Sequence, residues 1–502
     1  MKASLEFPPG LVSDDTTFST AGRTADANNM RPWRGSWQTI GGWSSAITGT
    51  LSGVCRNILP WTDNGGTLNI AFGTHSHLQV EVGGALYDIT PAGLPVGAAD
   101  GAAGPGFGAG PYGEGDFGEP ATNFEARTWS LATYGQSLIA SPRGGTIYQW
   151  SNDPLVLALG ITNAPNKINS MLVTPERQVL AFGCNEELSG VYNPLCIRGS
   201  DIEDITDWTS LPSNNAFEHI LEGGGRIVTA RIFGSYIAVW TDNAVFLGQF
   251  IGAPGQAYRF DRVEENCGLL SPNAVTIINQ TAYWIGPDLQ FRTWAAGSSP
   301  QIVACPIRND FKDNLDTAQA AKIVASSVSQ YGEVWWDYPD SRDGNENSRY
   351  VAVSTLDGAW FRGQRERTAA VDATVLAYPL ATTADGMVYF QENGKTANGA
   401  PLEWFIESSD RYLGQAEDHL MITCVWPDFE DQNGAVSLSF SLRDYPQSAK
   451  RTSGPYTLAQ GQSKKDFRAS GRVISAKITG ATSPAFARLG KMQFDVSRIG
   501  RR

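Results

Sequence analysis

The chain has 502 residues, a net charge of −13 and 41% hydrophobic residues. This length exceeds what one ordinary hydrophobic core accommodates, so we expect two or more domains or one large repeat array. The acidic balance argues against a protein whose main task is to grip phosphates, because binding to nucleic acid relies mostly on Lys and Arg. The acidic balance does not exclude a protein past which nucleic acid moves without being bound tightly.

The composition is typical of a β protein. It includes 54 Gly, 27 Pro and 15 Trp with only 18% charged residues, whereas long helical proteins are rich in Ala, Glu, Lys and Leu. The six cysteines form no C-x-x-C pair, which predicts buried free thiols instead of a zinc site or a disulfide framework. The opening MKASLEFPPGLVSDD has no apolar run of the signal-peptide kind, and no stretch approaches the ~18 apolar residues of a membrane span. We therefore expect synthesis in a cytoplasm and no membrane span.

The first 50 residues contain little that can form a core of their own. They do contain Trp37, Ile40 and Trp43, three large apolar side chains that can pin an extended segment against another part of the protein. Residues 1–50 are therefore predicted to be an extended N-terminal arm.

A β-hairpin is predicted at residues 78–90, LQVEVGGALYDIT. Apolar and polar side chains alternate up to Gly83 and Gly84, and a Gly pair suits a tight two-residue turn. Similar strand-like cores recur at intervals of roughly 40–57 residues once a glycine-rich insertion is set aside, close to the period of a propeller blade. The stretch ARIFGSYIAVWTDNAVFLGQF shows the internal plan, with three strands joined by two short turns.

Four-stranded meanders at this period favour an all-β chain with a β-propeller over residues 51–400, of about six or seven blades. A pair of ordinary β-sandwiches is the alternative. The stretch NDFKDNLDTAQAAKIVA, residues 309–325, is the best helical candidate and predicts only a turn or two of helix. After about Pro401 the strands lengthen and alternate more regularly, so residues 401–502 are predicted to form an appended β-sandwich-like domain.

A glycine-rich insertion interrupts the propeller at residues 93–120. It holds ten glycines and four prolines with almost no β-branched side chains, so it cannot bury enough apolar surface to order itself. It is either a flexible arm or a segment that orders against a partner. In the second case Phe107, Tyr112 and Phe117 are the candidate subunit-interface anchors.

The chain offers no convincing catalytic, cofactor or metal site. Glycines 108, 110 and 113 match G-x-G-x-x-G, but no predicted strand precedes them and no helix follows, so the phosphate-binding context is missing. His75 and His77 share one strand face without an assignable third ligand. The stretch STLDGAW loosely resembles the Asp-box of sialidases, although Asp357 and Gly358 are explained by a tight turn. A glycosidase with distant paired carboxylates remains an alternative.

Four stretches, in this order along the chain, resemble the tail nozzle proteins of short-tailed bacteriophages, which are also described as DNA-stabilisation or virion structural proteins. These stretches are GLVSDDTTFSTAGRTADANNMRPWRGSWQTIGGW, RGSDIEDITDWTS, CGLLSPNAVTIINQTAYWIGPDLQFRTWAAG and GEVWWDYPDSRDGNENSRYVAVSTLDGAW. The similarity is one of motif order and spans nearly the whole chain. The resemblance implies no catalytic residues in this chain.

The resemblance implies a propeller with an appended β-domain and six copies in a ring beneath the phage portal and adaptor. The ring would surround a channel for the genome, retain the packaged DNA and let it pass at injection, without catalysis and with only transient contact to the DNA. An acidic chain suits such a conduit because a basic lining would hold the polyanion. The alternatives are a propeller glycosidase that acts on host surface polysaccharide and a fibre-docking or receptor-binding module.

Overall fold

The computed structural model describes residues 2–103, 123–415, 418–482 and 484–501. Within these residues, seven four-stranded antiparallel sheets are the blades of a β-propeller, so the predicted fold class is confirmed. From the innermost strand outwards, blade 1 is Cys55–Thr62, Leu68–Thr74, Leu78–Val82 and Ala85–Asp88; blade 2 is Trp129–Tyr134, Ser137–Pro142, Tyr148–Trp150 and Leu159–Gly160; blade 3 is Ser170–Val173, Val179–Asn185, Tyr192–Gly199 and Phe217–Ile220; blade 4 is Ile227–Phe233, Tyr236–Thr241, Ala244–Ala253 and Gln256–Glu265; blade 5 is Val275–Ile278, Thr281–Ile285, Phe291–Ala295 and Gln301–Ile302; blade 6 is Val324–Val328, Glu333–Pro339, Asn347–Ser354 and Trp360–Gln364; blade 7 is Ala369–Val371, Leu380–Thr382, Val388–Gln391 and Trp43–Ser45.

The hairpin predicted at residues 78–90 forms the outer half of blade 1. Gly83 and Gly84 have φ of 57° and 91°, and Val82 pairs with Ala85 across the turn. A two-residue turn of this kind needs a positive φ at both central positions, which glycine adopts at little cost.

The blades are held together face to face by large apolar side chains. The second strands Tyr236–Thr241 and Glu333–Pro339 are buried along nearly their whole length, because each blade is covered by a neighbour on both faces. Between blades 4 and 5, the rings of Trp240 and Trp284 meet edge to face with centroids 5.9 Å apart.

Blade 7 is closed by a strand from the other end of the sequence. Trp43–Ser45 pairs with Val388–Gln391, so that Gln391 lies opposite Trp43 and Tyr389 opposite Ser45. The ring therefore cannot open at this blade without breaking a ladder between distant parts of the chain.

Three further sheets, which we call the C-terminal body, combine C-terminal with N-terminal strands. In spatial order, the first sheet is Lys2–Leu5, Met492–Arg501, Asp418–Trp426 and Lys465–Gly471; the second is Thr24–Asn28, Trp404–Ser408, Val473–Gly480, Val436–Arg443 and Arg451–Leu458, with Arg411–Tyr412 beside Val473–Gly480; the third is Met30–Trp33, Ser36–Thr39, Phe486–Leu489 and Phe429–Asn433. Every sheet of the body thus contains at least one strand from the first 39 residues.

The segment predicted as an extended arm runs as these N-terminal strands. Trp37 and Ile40 are 0% and 1% exposed, and the indole nitrogen of Trp37 donates to the Pro8 carbonyl at 2.8 Å. Trp37 and Ile40 therefore lie inside the hydrophobic core, whereas Trp43 is partly buried on the closing strand of blade 7.

The C-terminal body packs on the outer strand of blade 6. The Arg362 guanidinium bonds the Asp26 carboxylate at 2.9 Å, the Gln364 amide donates to the Asn28 side chain at 2.7 Å, and the Leu11 amide donates to the carbonyl of Trp360 at 2.8 Å. The body thus extends the molecule outwards from one side of the ring.

Three small elements lie outside the large sheets. Within the predicted helical stretch, an α-helix spans Arg308–Asn314 and a 3₁₀ helix spans Thr317–Lys322. Ala102–Ala103 pairs with Asn123–Phe124 at the base of the glycine-rich insertion. No helix in the described ranges is long and apolar enough to cross a membrane.

We expect Gly42→Ala to destabilise the protein by about 1–3 kcal/mol, the usual range for overpacking. A Cβ at this position would lie 2.3 Å from the Thr396 carbonyl oxygen and would push the closing strand away from blade 7. Urea unfolding of both proteins measures the difference. Gly160→Ala on the outer strand of blade 2 is the control, since no heavy atom lies within 4 Å of its Cβ position. Equal losses in the two variants would contradict the expected clash.

Candidate functional site

The innermost strands of the propeller surround a cavity of about 340 Å³ on the channel axis. Its lining comes from blades 1, 4, 5, 6 and 7 and mixes apolar groups with a few polar ones. The polar lining residues include Arg56, Asn57, Arg231 and Asn273. A cavity of this volume holds on the order of ten waters at ~30 Å³ each.

A hydrogen-bonded bridge crosses the channel at this level. The Asn273 side-chain amide, just before the first strand of blade 5, donates to the Arg56 carbonyl of blade 1 at 3.1 Å. Arg231 of blade 4 donates to the Asn273 side-chain oxygen at 3.2 Å and to the carbonyl of Pro272 at 3.1 Å. Three blades that are not all adjacent are therefore tied together across the axis.

Arg231 acts as a clamp within this bridge. Besides Pro272 and Asn273, its guanidinium donates to the Thr229 hydroxyl at 2.8 Å and the Ala230 carbonyl at 3.1 Å. All four acceptors are neutral, and burial lowers the pKa of Arg231 to about 10. Its hydrogen-bonding capacity is largely used within the protein, so it offers little to an incoming anion.

A second polar cluster anchors the start of the glycine-rich insertion. Arg56 forms a two-pronged ion pair with Glu346, with both distances at 2.8 Å. The fully buried Lys322 ammonium bonds Glu346 at 2.9 Å and Asp100 at 2.5 Å. On the same side of the protein, the Gln319 side chain exchanges two 2.8 Å hydrogen bonds with the backbone of Gly101. Residues up to Gly101 are therefore built into the wall of the propeller.

The predicted interface anchors Phe107, Tyr112 and Phe117 lie outside the described residues, as do the glycines of the G-x-G-x-x-G match. The prediction that they contact a neighbouring subunit stays a prediction. The ion cluster around Lys322 could not be predicted from the sequence, because Lys322 is 222 residues from Asp100 and Arg56 is 290 residues from Glu346, and no local motif marks them.

The two histidines lie in the bend between Leu68–Thr74 and Leu78–Val82 and not within a strand, so the strand face predicted for them is wrong, and their rings have separate partners. The His75 ring accepts a hydrogen bond from the Val54 amide at 3.0 Å, whereas the His77 ring bonds the Ser76 hydroxyl at 2.8 Å. Burial and the nearby Arg56 hold the pKa of His75 below its usual value. Among the described residues, no group of three His, Cys, Asp or Glu side chains is arranged to hold a metal ion. All six cysteines are free thiols.

A third cluster of charges lines a cavity of about 350 Å³ where the C-terminal body meets blade 6. Arg362 reaches Asp26 at 2.9 Å and Asp310 at 3.1 Å, and Arg342 reaches Asp310 at 3.0 Å. Burial alone would raise the pKa of Asp310, but the arginines outweigh burial and hold it below its usual value. Each of these cations already has a carboxylate partner, so the cluster is a joint between two parts of the molecule.

We expect Lys322→Met to loosen the start of the insertion without unfolding the propeller. The substitution removes the cation shared by Asp100 and Glu346 and leaves Asp100 without its bridge, while Glu346 keeps Arg56. Hydrogen exchange should accelerate at residues 97–101, where the backbone is now bonded to His75 and Gln319. Lys312→Met on an exposed helix position is the control. Unchanged exchange at residues 97–101 would contradict the anchoring role.

The chain matches no family model, and it matches no curated protein. Many solved structures resemble parts of it, and two of them illustrate the similarity. One is the crystal structure of Kluyvelomyces marxianus Hsv2, with a TM-score of 0.33, 10% identity, and coverage of 54% of this chain and 73% of that one. The other is the WD40 β-propeller domain of Doa1, with a TM-score of 0.39, 7% identity, and coverage of 70% of this chain and 97% of that one. At this identity the likeness concerns the fold alone, and the propeller assignment here rests on the seven sheets themselves.

Proposed function

We propose that this chain is a structural subunit of a short-tailed bacteriophage tail. Six copies form a ring-shaped nozzle that continues the DNA channel below the portal and adaptor, retains the packaged genome and lets it pass at injection. The protein is made in the host cytoplasm and resides in the virion tail. Its partners are other copies of itself, the portal or adaptor and further tail proteins, and its contact with the passing DNA is transient and non-specific. The proposal assigns the chain no catalysis.

The observation that carries the proposal is the way the N-terminal segment joins the two parts of the molecule. Its strands enter all three sheets of the C-terminal body and then close blade 7. The propeller and the body therefore cannot separate unless strands leave their ladders. A subunit that retains densely packed DNA has to resist force without its domains moving apart, and this construction supports such a role.

The bridge across the propeller channel supports a DNA path outside the propeller of each subunit. Asn273 bridges to Arg56 across the axis, and the cavity there measures about 340 Å³. In the proposal the genome therefore runs between copies of the chain, along a passage that the ring encloses. The net charge of −13 fits this arrangement, since an acidic wall forms few tight phosphate contacts.

Imaging of assembled virions tests the proposal. A Fab fragment raised against this chain should appear as six copies around the tail axis, below the portal, in DNA-filled particles. Labelling at the tail periphery, or three copies on a fibre, would support a receptor-binding module and contradict the nozzle. Hydrolysis of host capsular polysaccharide by the purified chain would instead support the glycosidase.

A further inference from the structure

Charge is distributed unevenly between two parts of the molecule. Residues 176–265, which are mainly blades 3 and 4, contain thirteen acidic and six basic side chains, a net charge of −7. Residues 443–488 of the C-terminal body contain nine basic and two acidic side chains, a net charge of +7. The overall charge of −13 hides this division, and two surfaces of opposite sign attract each other when they belong to different copies.

The acidic surface, which we call the acidic rim, is one continuous edge of blades 3 and 4. The Ser210 amide donates to the Glu187 carboxylate at 3.1 Å, and the Gly255 amide donates to the Asn214 carbonyl at 3.0 Å. These bonds join the hairpin at residues 186–191, the loop at residues 209–214 and the tip of the outer hairpin of blade 4.

Two carboxylates of the acidic rim accept from neutral donors, whereas three other carboxylates of blades 3 and 4 pair with arginines of the same blades. Glu186 is bonded by Asn193 and Ser189, both at 2.8 Å, and Asp207 is bonded by Asn214 at 2.9 Å. Their negative charges are therefore not cancelled by adjacent cations in the described part of this chain. The acidic rim also exposes large apolar side chains, in a concentration that marks interaction sites: Leu188 is 97%, Val191 64%, Leu211 45%, Ile220 44% and Ile251 46% exposed.

The positive surface, which we call the basic edge, consists of two edge strands. Arg451–Leu458 and Lys465–Gly471 each end a sheet of the C-terminal body and pair on one side only. The basic edge carries Lys450, Lys464, Arg468 and Arg472 beside Tyr445, which is 57% exposed. Long basic side chains with an exposed aromatic ring can cover apolar groups with their stems while their charges meet carboxylates.

The fold places these two surfaces on different parts of the molecule. The C-terminal body contacts blade 6 through Arg362 and the side of blade 7 through Arg31, whereas the acidic rim lies on blades 3 and 4, the nearer of which is two blades from blade 6. Within the second sheet of the body, Thr24–Asn28 lies against blade 6 and Arg451–Leu458 is the far edge, about 19 Å away at the usual strand spacing. Arg451–Leu458 is therefore the strand of this sheet that lies farthest from blade 6.

We infer that the basic edge of one copy docks on the acidic rim of the next copy, head to tail. The contact is heterologous, and repeated contacts of this type close into a ring when the rotation between copies permits. The inference rests on the proposed nozzle for its ring, and it names the surfaces that build it. A second copy is favoured over DNA as the occupant, because the carboxylates and the exposed leucine and valine side chains of the acidic rim complement the basic edge.

Charge exchange between the surfaces is the test. One full-length variant reverses the basic edge with Lys450→Glu, Lys464→Glu and Arg468→Glu, and a second reverses the acidic rim with Glu186→Lys, Glu187→Lys and Asp207→Lys. Each variant alone should lose self-association by more than about tenfold, because like charges then face each other. An equal mixture should assemble again, since each altered surface meets an altered partner of opposite sign. Native mass spectrometry should then show alternating copies in equal numbers.

The controls separate this inference from the others. A variant with Arg34→Glu, Lys312→Glu and Lys395→Glu changes the net charge equally but leaves the basic edge intact, and it should associate like the wild type. Wild-type association should also weaken from 0.1 M to 1 M salt, where the screening length falls from ~10 Å to ~3 Å.

Three results would overturn the inference. These are a wild-type chain that stays monomeric up to its solubility limit, a mixture that fails to assemble, and a basic-edge variant that still associates but loses binding to a random-sequence DNA duplex. Virion imaging is independent of all three. If six copies lie at the tail axis but charge exchange has no effect on association, the nozzle proposal stands and this interface is rejected. If rings form in a charge-dependent way but are absent from the tail axis, the interface stands and the nozzle proposal is rejected.

Discussion

Replacing Arg31 by Met is expected to destabilise the protein by about 3–5 kcal/mol at pH 8, the usual cost of removing one partner of a buried ion pair. Arg31, on a strand of the C-terminal body, bonds Glu333 of blade 6 at 3.2 Å and Glu392 beside blade 7 at 2.6 Å. The three side chains are 0%, 1% and 3% exposed. The guanidinium also lies 3.7 Å from the centroid of the Tyr331 ring. Methionine keeps much of the volume, so the loss reports the missing charge. Chemical denaturation measures it.

The control for this substitution is Arg177→Met. Arg177 pairs with Glu203 at 3.4 Å, but the two side chains are 49% and 63% exposed. Exposed pairs of this kind contribute about 0–1 kcal/mol. Equal losses in the Arg31 and Arg177 variants would contradict the central role of the buried triad.

The same triad is expected to make stability depend on pH. Burial raises the pKa of Glu333 from 4.5 to about 7, although Arg31 opposes the rise. The folded state therefore binds this proton more tightly than the unfolded state, so its contribution is fully present below pH ~4.5 and is lost as pH rises through ~7. Relative to Glu333→Gln, the wild type should lose about 3 kcal/mol across this window. Parallel pH profiles of the two proteins would contradict the assignment.

Deleting residues 1–46 is expected to have the largest effect of any change considered, with loss of cooperative folding. The deletion removes one strand from the first and second sheets of the C-terminal body, two from the third and the closing strand of blade 7. It also removes the fully buried Trp37 and Arg31, which leaves Glu333 and Glu392 without their cation. Thermal unfolding and limited proteolysis of the truncated chain measure the result.

The matched control is deletion of residues 1–5 alone. Lys2–Leu5 is the edge strand of the first sheet of the C-terminal body and pairs with one neighbour, Met492–Arg501. This shorter chain should still unfold in a single transition at a moderately lower temperature. A chain that lacks residues 1–46 yet retains the wild-type transition would show that the N-terminal strands do not hold the two parts together.

Much of the propeller could be predicted from local patterns. The pair Gly83–Gly84 requires a tight turn, and the apolar second strands such as Tyr236–Thr241 indicate burial on both faces, because both features depend on neighbours a few residues away. The glycine-rich stretch likewise marked the insertion, although its candidate anchors Phe107, Tyr112 and Phe117 lie outside the described residues.

The polar sites could not be predicted, because their partners are far apart in the sequence. Asn273 is separated from Arg56 by 217 positions, and Arg31 from Glu392 by 361. A lone arginine in a polar stretch has the same appearance whether it is solvated or buried. Its burial becomes visible only when the blades and the C-terminal body have been assembled around it.

The sequence by itself determined the all-β class, the repeated meander and the approximate number of blades, since strand period and turn chemistry are encoded within a few residues. Only the tertiary structure decided that the N-terminal strands close blade 7 and complete the C-terminal body, and that a hydrogen-bonded bridge crosses the propeller channel. Pairing between strands from distant segments depends on which sheet faces become buried and which strand edges are free to pair. A local stretch of sequence contains neither kind of information.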